Sequence, residues 1–518
     1  MNKILIGMSL LLVLLPVFVS AATYYVDSSI GSDSNSCTAA EDTATPKRTV
    51  NGVMSCNPGA GDIVKFKGTF TQTISPNQNG QVLYPFQAIQ SVSGSTVTFN
   101  TAIAGLDPAT DYVTIYNSLK GNSGAFAVQS FSGNTVTVDT SDLPLGNFIL
   151  ETDGNPQGLH GAILRPVHFT AWDKNNPPVW DLDPDNLPVW GTEAQTFRSF
   201  NQSVIMVSYL KTVADWAYWS AYEIDGDNNG NCDYHIFDHL EVTNGEGAIG
   251  IEFHEFHTNY NIIQHNNFHD CGMEGNGGDE IIYYGNAYHP ERHHDYAQIM
   301  YNIVGPHRIG SEIFGDGIEI KPSAHYATVW GNEIVGIIPN GQDDSPLTTD
   351  GTATVIGNNY IHDINPSDYR GCGISLKDMD PSEPTHGANG AIIINNIIAN
   401  VKGAGIWLLD VRNVKVLNNV IYKIPKDPLV SDLSRNAGIA LRAYRANTEN
   451  IEIKNNIIQL VDNYGISAKY SSITTDNDYN LIFQTPNAYY NVDQGDHDWR
   501  RESGNGSAIT TIIVITRL

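Results

Sequence analysis

Basic residues are in short supply. Lys and Arg number 28 against 56 Asp and Glu, for a formal net charge of -28 at pH 7. Nucleic acid is therefore not an expected partner, because phosphate binding needs clustered cations. An acidic polysaccharide is not excluded, since a local concentration of Lys and Arg, or a bound cation, can hold a polyanion on an acidic protein. Beyond residue 22 no apolar run approaches the roughly 18 residues of a spanning helix, so no membrane contact is expected. Cysteine is scarce, with five in the chain. Cys37 and Cys56 are the expected pair, closing a short loop, whereas Cys232, Cys271 and Cys372 leave one thiol over and an open connectivity. Helical apolar periodicity is missing between the repeated motifs of the second half, which points to strands.

What is present starts with Lys3, an apolar run from Ile4 to Val19 and the small residues Ser20-Ala21-Ala22. Residues 1–22 read as a signal peptide, so the mature protein is expected to be secreted or periplasmic, in an oxidising setting and monomeric. Residues 23–71 form an N-terminal cap and first coil in this reading. Residues 72–158 look inserted. Their segments Gln90–Thr101 and Gln129–Thr140 each place Ser-Gly-Ser or Ser-Gly-Asn between period-2 flanks, the pattern of a β-hairpin. The main repeated body is assigned to 159–485, and 486–518 to a tail in which Ile512-Ile513-Val514-Ile515 reads as a last strand.

Within the main body two motifs alternate. One is Gly-Ile-x-apolar-x, opening at Gly250, Gly317, Gly373, Gly405, Gly438 and Gly465; the other is an Asn pair before an apolar strand, at Asn266, Asn358, Asn395, Asn418 and Asn455. The last four glycines are separated by 32, 33 and 27 residues (405 − 373, 438 − 405, 465 − 438). Repeats of this length with several short strands each indicate an all-β solenoid of stacked coils. Asn suits the turn between strands and can stack its amides from coil to coil, so the pairs are assigned a structural role.

If each motif supplies one strand of a parallel sheet, the outward residues form columns. The outer column reads His254, Lys321, Lys377, Leu409, Arg442 and Lys469, a basic stripe suited to a linear polyanion. The inner column reads Glu252, Glu319, Ser375, Trp407, Ala440 and Ser467, with its acids gathered near Asp279, Glu280 and Asp316. Oxygen donors of this kind suit calcium, which takes 6 to 8 oxygens. Trp407 serves either as a sugar platform or as a cover for the sheet. Between 286 and 312, Arg292 and Arg308 are candidates for binding a substrate carboxylate, and His293 for donating a proton. Zinc on His289 with His293 or His294 would need a spacing that matches no recognised motif.

Residues 23–70, with Thr23-Tyr24-Tyr25-Val26-Asp27, Gly31-Ser32-Asp33-Ser34 and Ala60-Gly61-Asp62-Ile63-Val64, resemble the opening of secreted right-handed parallel β-helix proteins. The solenoid resembles the polysaccharide lyases of that fold, both pectate lyases and the chondroitinase-B and alginate-lyase group. Asp316-Gly317-Ile318-Glu319 is similar to a calcium-binding segment of the former, and Lys321-Pro322-Ser323 with Asn332 to a base-bearing segment of the latter. The resemblance implies calcium-assisted β-elimination of a uronic-acid polymer. Calcium would lie on Asp316, Glu319, Glu252, Asp279 and Glu280, with Lys321 as base, Lys377 as its substitute and Arg442 as a substrate clamp. His254, Arg292, His293, Arg308, Trp407 and Lys469 would bind the chain. Two alternatives stay open: a hydrolase using paired carboxylates, and a noncatalytic surface or adhesion β-helix.

Overall fold

The computed structural model describes residues 21–492 with breaks at 153–157, 183–194, 214–219, 226–230, 244–248, 254–256, 272–280, 286–291, 307–314, 339–344, 365–370, 379–386, 429–431, 444–447 and 470–472, and again 499–501. The expected signal peptide up to residue 20 and the strand expected at 512–515 lie outside the described residues. Among these, no helix is long and apolar enough to cross a membrane.

Each coil of the second half is three short strands joined by tight corners. In the coil that begins at Ile318 they are Ile318–Ile320, Thr328–Trp330 and Glu333–Val335. Tyr326 and Gly331 turn the corners in the left-handed region, at φ of 59° and 69°. Ile318, Ile320, Val329 and Ile334 alternate with outward residues and are fully buried, because the period of two puts every second side chain inside the coil. Stacked coils form three parallel sheets. Sheet A has 13 strands from Thr23–Asp27, sheet B 13 from Thr69–Phe70, and sheet C 11 from Phe197–Phe200. The fold is thus a parallel β-helix, with one continuous apolar core from Tyr24 to Ala488. Sheet C continues past residue 485 with Asn487–Tyr490, and sheet B ends with Trp499–Arg501.

The Asn pairs divide their work. Asn358, Asn395, Asn418 and Asn455 take φ of 53° to 59°, which asparagine tolerates better than most residues. One Asn of each pair, the second in every pair but Asn266-Asn267, points inward and joins a buried ladder through Asn266, Asn302, Asn332, Asn359, Asn396, Asn419, Asn456 and Asn480. Each Nδ2 donates to the next Oδ1 at 2.9 to 3.0 Å. Asn396 shows the full pattern: its Nδ2 also donates to Ile356 O, and its Oδ1 accepts the Asn359 N–H. The polar atoms of these amides have hydrogen-bond partners, which offset the cost of burying them.

At the N-terminus the short helix Val50–Met54 starts at Thr49, whose side chain accepts the Gly52 N–H. The expected disulfide Cys37–Cys56 is formed, with Cα atoms 5.4 Å apart, while Cys232, Cys271 and Cys372 are buried and not disulfide-bonded. Both expected hairpins of the insertion form, and they belong to something larger. Strands Gln81–Gly94, Thr96–Phe99, Thr135–Val138, Gly124–Ser132, Tyr112–Tyr116 and His160–Arg165 pair antiparallel in a closed ring, a six-stranded barrel around its own core. Its last strand lies beyond the expected boundary at 158, and sheet A resumes at Val167. The barrel sits on the outer face of sheet A. Gln264 accepts the Ala125 N–H and donates to Ala125 O at 2.9 and 3.1 Å, and Phe86 packs on Tyr260 and Tyr296.

Candidate functional site

Sheet C gathers most of the described candidates, in an order the motif spacing did not give. Strand Ile282–Tyr284 lies between the Glu252 and Glu319 rungs, and Leu347–Thr349 between those of Glu319 and Ser375. The inner column therefore runs Glu252, Tyr283, Glu319, Thr348, Ser375, Trp407, Ala440, Ser467. Glu252 and Glu319 are two rungs apart, about 9.6 Å at sheet spacing, and not neighbours as expected. Continued by one residue, the register puts Asp350 between Lys321 and Lys377 in the outer column. An acid thus separates two lysines that sequence spacing had stacked together, which removes the like-charge contact that such a stripe would carry. Both added strands lack a Gly-Ile opening. The signal was in the intervals: 67 residues from Gly250 to Gly317 and 56 from Gly317 to Gly373 (317 − 250, 373 − 317), each about two coils.

Lys321 and Glu319 share the outward face of one strand, and their side chains meet. Lys321 Nζ lies 2.6 Å from Glu319 Oε1 and 5.1 Å from the centre of the Tyr283 ring. The pair is shielded, with side chains 15% and 5% exposed, so it is much less screened than a surface ion pair. Gly285, at φ 101°, makes room: a Cβ there would stand 3.2 Å from Lys321 Cβ. Neither Tyr283 nor Asp350 was singled out from the sequence.

Of the donors expected to hold calcium, Asp316 and Glu319 have described side chains, and both have protein partners. Asp316 is buried; its Oδ1 accepts the Ser345 N–H and, at 3.0 Å, the Thr348 hydroxyl of the following coil. Glu319 faces an ammonium. Asp279 and Glu280 lie outside the described residues, as do His254 and Arg308, and Glu252 is described only as backbone in strand Ile249–Phe253.

Further along sheet C, Lys377 is 4% exposed and Trp407 3%. Trp407 is roofed by Arg435, which the sequence did not flag, with its guanidinium carbon 4.1 Å from the ring centre. A sugar would reach this ring only with Arg435 displaced. Lys469 pairs with Asp432 at 3.0 Å. Burial pushes the Asp432 carboxyl up, but its bonds from Ser434 and Lys469 outweigh that and hold it below the ordinary range. Arg442, half-buried, lies in the rung next to Leu409. Cys372 sits in this region with its thiol pushed up to about 11 by burial, which makes it unreactive.

Arg292 and His293 lie elsewhere, on the corner leading from sheet C into strand Gln298–Met300 of sheet A. The His294 N–H there donates to Ser323 O, next along the chain from the Lys321 rung. His293 is brought together with Asp295, which belongs to the same polar stretch between 286 and 312, and with His325, which was not singled out from the sequence.

A family model described as the right-handed β-helix region matches residues 311–499. No curated protein matches the chain in sequence. Among solved structures, the A-module of the Azotobacter vinelandii mannuronan C-5 epimerase AlgE6 aligns at 14% identity over 66% of this chain and 84% of its own, with a TM-score of 0.47. The lacto-N-biosidase of Eubacterium ramulus aligns at 9% identity over 93% and 68%, TM-score 0.43. An alginate lyase from Paenibacillus sp. aligns at 13% identity over 79% and 97%, TM-score 0.40. The chain is a right-handed parallel β-helix carrying an inserted β-barrel.

Proposed function

We propose that the protein is a secreted enzyme that cleaves a uronic-acid-containing polysaccharide by β-elimination on the outer face of sheet C. The observation that carries the proposal is the shielded Lys321–Glu319 contact over Tyr283, with Lys377 two rungs away and Arg442 beyond it on the same face. Removing the proton α to a uronate carboxylate requires a base and positive charge to stabilise the carbanion that forms. Lys377 and Arg442 supply charge along the groove, and Lys321 is the base.

As an ion pair, Glu319 favours the charged form of Lys321. A bound sugar chain expels water from the pair, and both charges lose solvation. Transfer of the proton along the 2.6 Å contact to Glu319 then leaves a neutral amine. That amine takes the C5 proton. The C5–H electron pair becomes the C4–C5 double bond as the bond from C4 to the glycosidic oxygen breaks, and the lysine ammonium protonates the departing oxygen. No step runs through calcium.

Incubation with pectate, alginate and chondroitin, followed by ultraviolet absorbance of the unsaturated product, tests the reading. Lys321→Ala is expected to lower kcat at least about 100-fold, the usual weight of acid–base groups. Activity should survive a chelator. New reducing ends without absorbance would replace elimination by hydrolysis, and full activity of Lys321→Ala would remove the assigned base.

A further inference from the structure

We propose that His293, Asp295 and His325 form a binding site for a zinc-class divalent metal ion at the corner between sheets C and A. His325 Nδ1 is 2.8 Å from Asp295 Oδ1, and His293 Nδ1 is 3.8 Å from Asp295 Oδ2. All three ligand atoms lie within 4.8 Å of one another. Tetrahedral zinc, with bonds of about 2.0 to 2.1 Å to nitrogen and oxygen, needs ligand atoms about 3.3 to 3.4 Å apart. The two observed contacts bracket that separation, so small side-chain rotations suffice. Two imidazoles and one carboxylate suit zinc and its first-row neighbours, and not calcium or magnesium, which select oxygen.

The backbone that presents these ligands is fixed by the solenoid. Tyr296 and Tyr326, each following a ligand, take φ of 62° and 59° and stack at 5.1 Å. The Tyr296 N–H donates to His325 O at 2.9 Å, and the Thr258 N–H to His293 O at 3.2 Å. His293 is held from its other side by His257, whose ring stacks on it at 5.6 Å and whose Nδ1 accepts the His293 N–H. Its side chain is 56% exposed, which leaves an entry path and a fourth position open to water or an anionic ligand. The cluster Asp238, His239 and His265 differs. There both Nδ1 atoms lie 2.9 and 3.0 Å from one carboxylate oxygen, Oδ1, which also accepts from Gln264.

Calorimetric titration of the chelator-treated full-length protein with Zn²⁺ tests the site without any substrate, so its outcome is independent of whether a polysaccharide is cleaved. One saturable ion is expected at neutral pH, with binding weakened in acid, because metal ligands must be deprotonated. His293→Ala, a change at an exposed side chain, should weaken binding at least about 10-fold, and so should Asp295→Asn. His239→Ala should leave it unchanged. Co²⁺ should give the intense visible bands of a tetrahedral ion. Absence of saturable binding, unchanged affinity in His293→Ala, or loss confined to His239→Ala would each overturn the assignment.

Discussion

His235 is wholly buried between the sheets, with Nε2 2.9 Å from Ser199 Oγ and Nδ1 3.2 Å from Cys232 O. Burial pulls its pKa down to about 4, against an ordinary value of about 6.5. The unfolded chain therefore binds this proton more readily than the folded one, and stability rises with pH between those values. The contribution is complete above about 6.5 and is lost as pH falls toward 4, on the order of 3 kcal/mol over the window. Urea melts at intervals from pH 7 to pH 4 should show it, and His235→Gln should flatten the slope; an unchanged slope would place the titration elsewhere. At this scale the sequence was a partial guide. Glu319 and Lys321 were readable as a pair because a period of two sets them on one face. Asp350 and Arg435 were not, because they themselves come from a coil and a turn without the motif.

Among the elements, the asparagine ladder makes the sharpest demand. Asn396→Ala would strip partners from the Asn359 N–H, the Asn359 amide and Ile356 O, and each buried group left unpaired costs about 1 to 3 kcal/mol. A loss of at least about 3 kcal/mol is expected. Asn395→Val, one residue earlier, should cost only about 1 to 2 kcal/mol, the penalty of a left-handed corner on an ordinary side chain. Equal losses in equilibrium unfolding would show that the two positions do not have separate roles. The Asn pairs were legible as a repeat, and their ladder was expected. Asn302, Asn332 and Asn480 were not read as ladder members because Tyr301, Gly331 and Tyr479 precede them. The corner requires only a residue that accepts positive φ, whereas the inward position requires an amide, so the doublet was a stricter rule than the structure obeys.

For the whole molecule, the solenoid was legible because its core repeats every coil. The barrel was legible only as hairpins. A turn is written in adjacent residues, but the pairing of His160–Arg165 with Gln81–Ala88 spans more than seventy residues and leaves no local mark. The seat of the barrel on sheet A rests on side chains such as Gln264 and Phe86, which read as ordinary strand residues. Its placement leaves the face of sheet C to the candidate catalytic groups.

The ladder also gives the molecule a unit of length. Residues 397–419 constitute one turn of the superhelix, beginning after one inward asparagine and ending on the next. Excising them would join Asn396 to Val420, a residue already in register with Ile397, and every bond of the seam would be remade with the following coil. The shortened protein should fold, about 4.8 Å shorter, with unchanged circular dichroism per residue, whereas removing half that number of residues should yield aggregate. Growth and loss by whole turns, without redesign of what lies on either side, is thus built into the architecture.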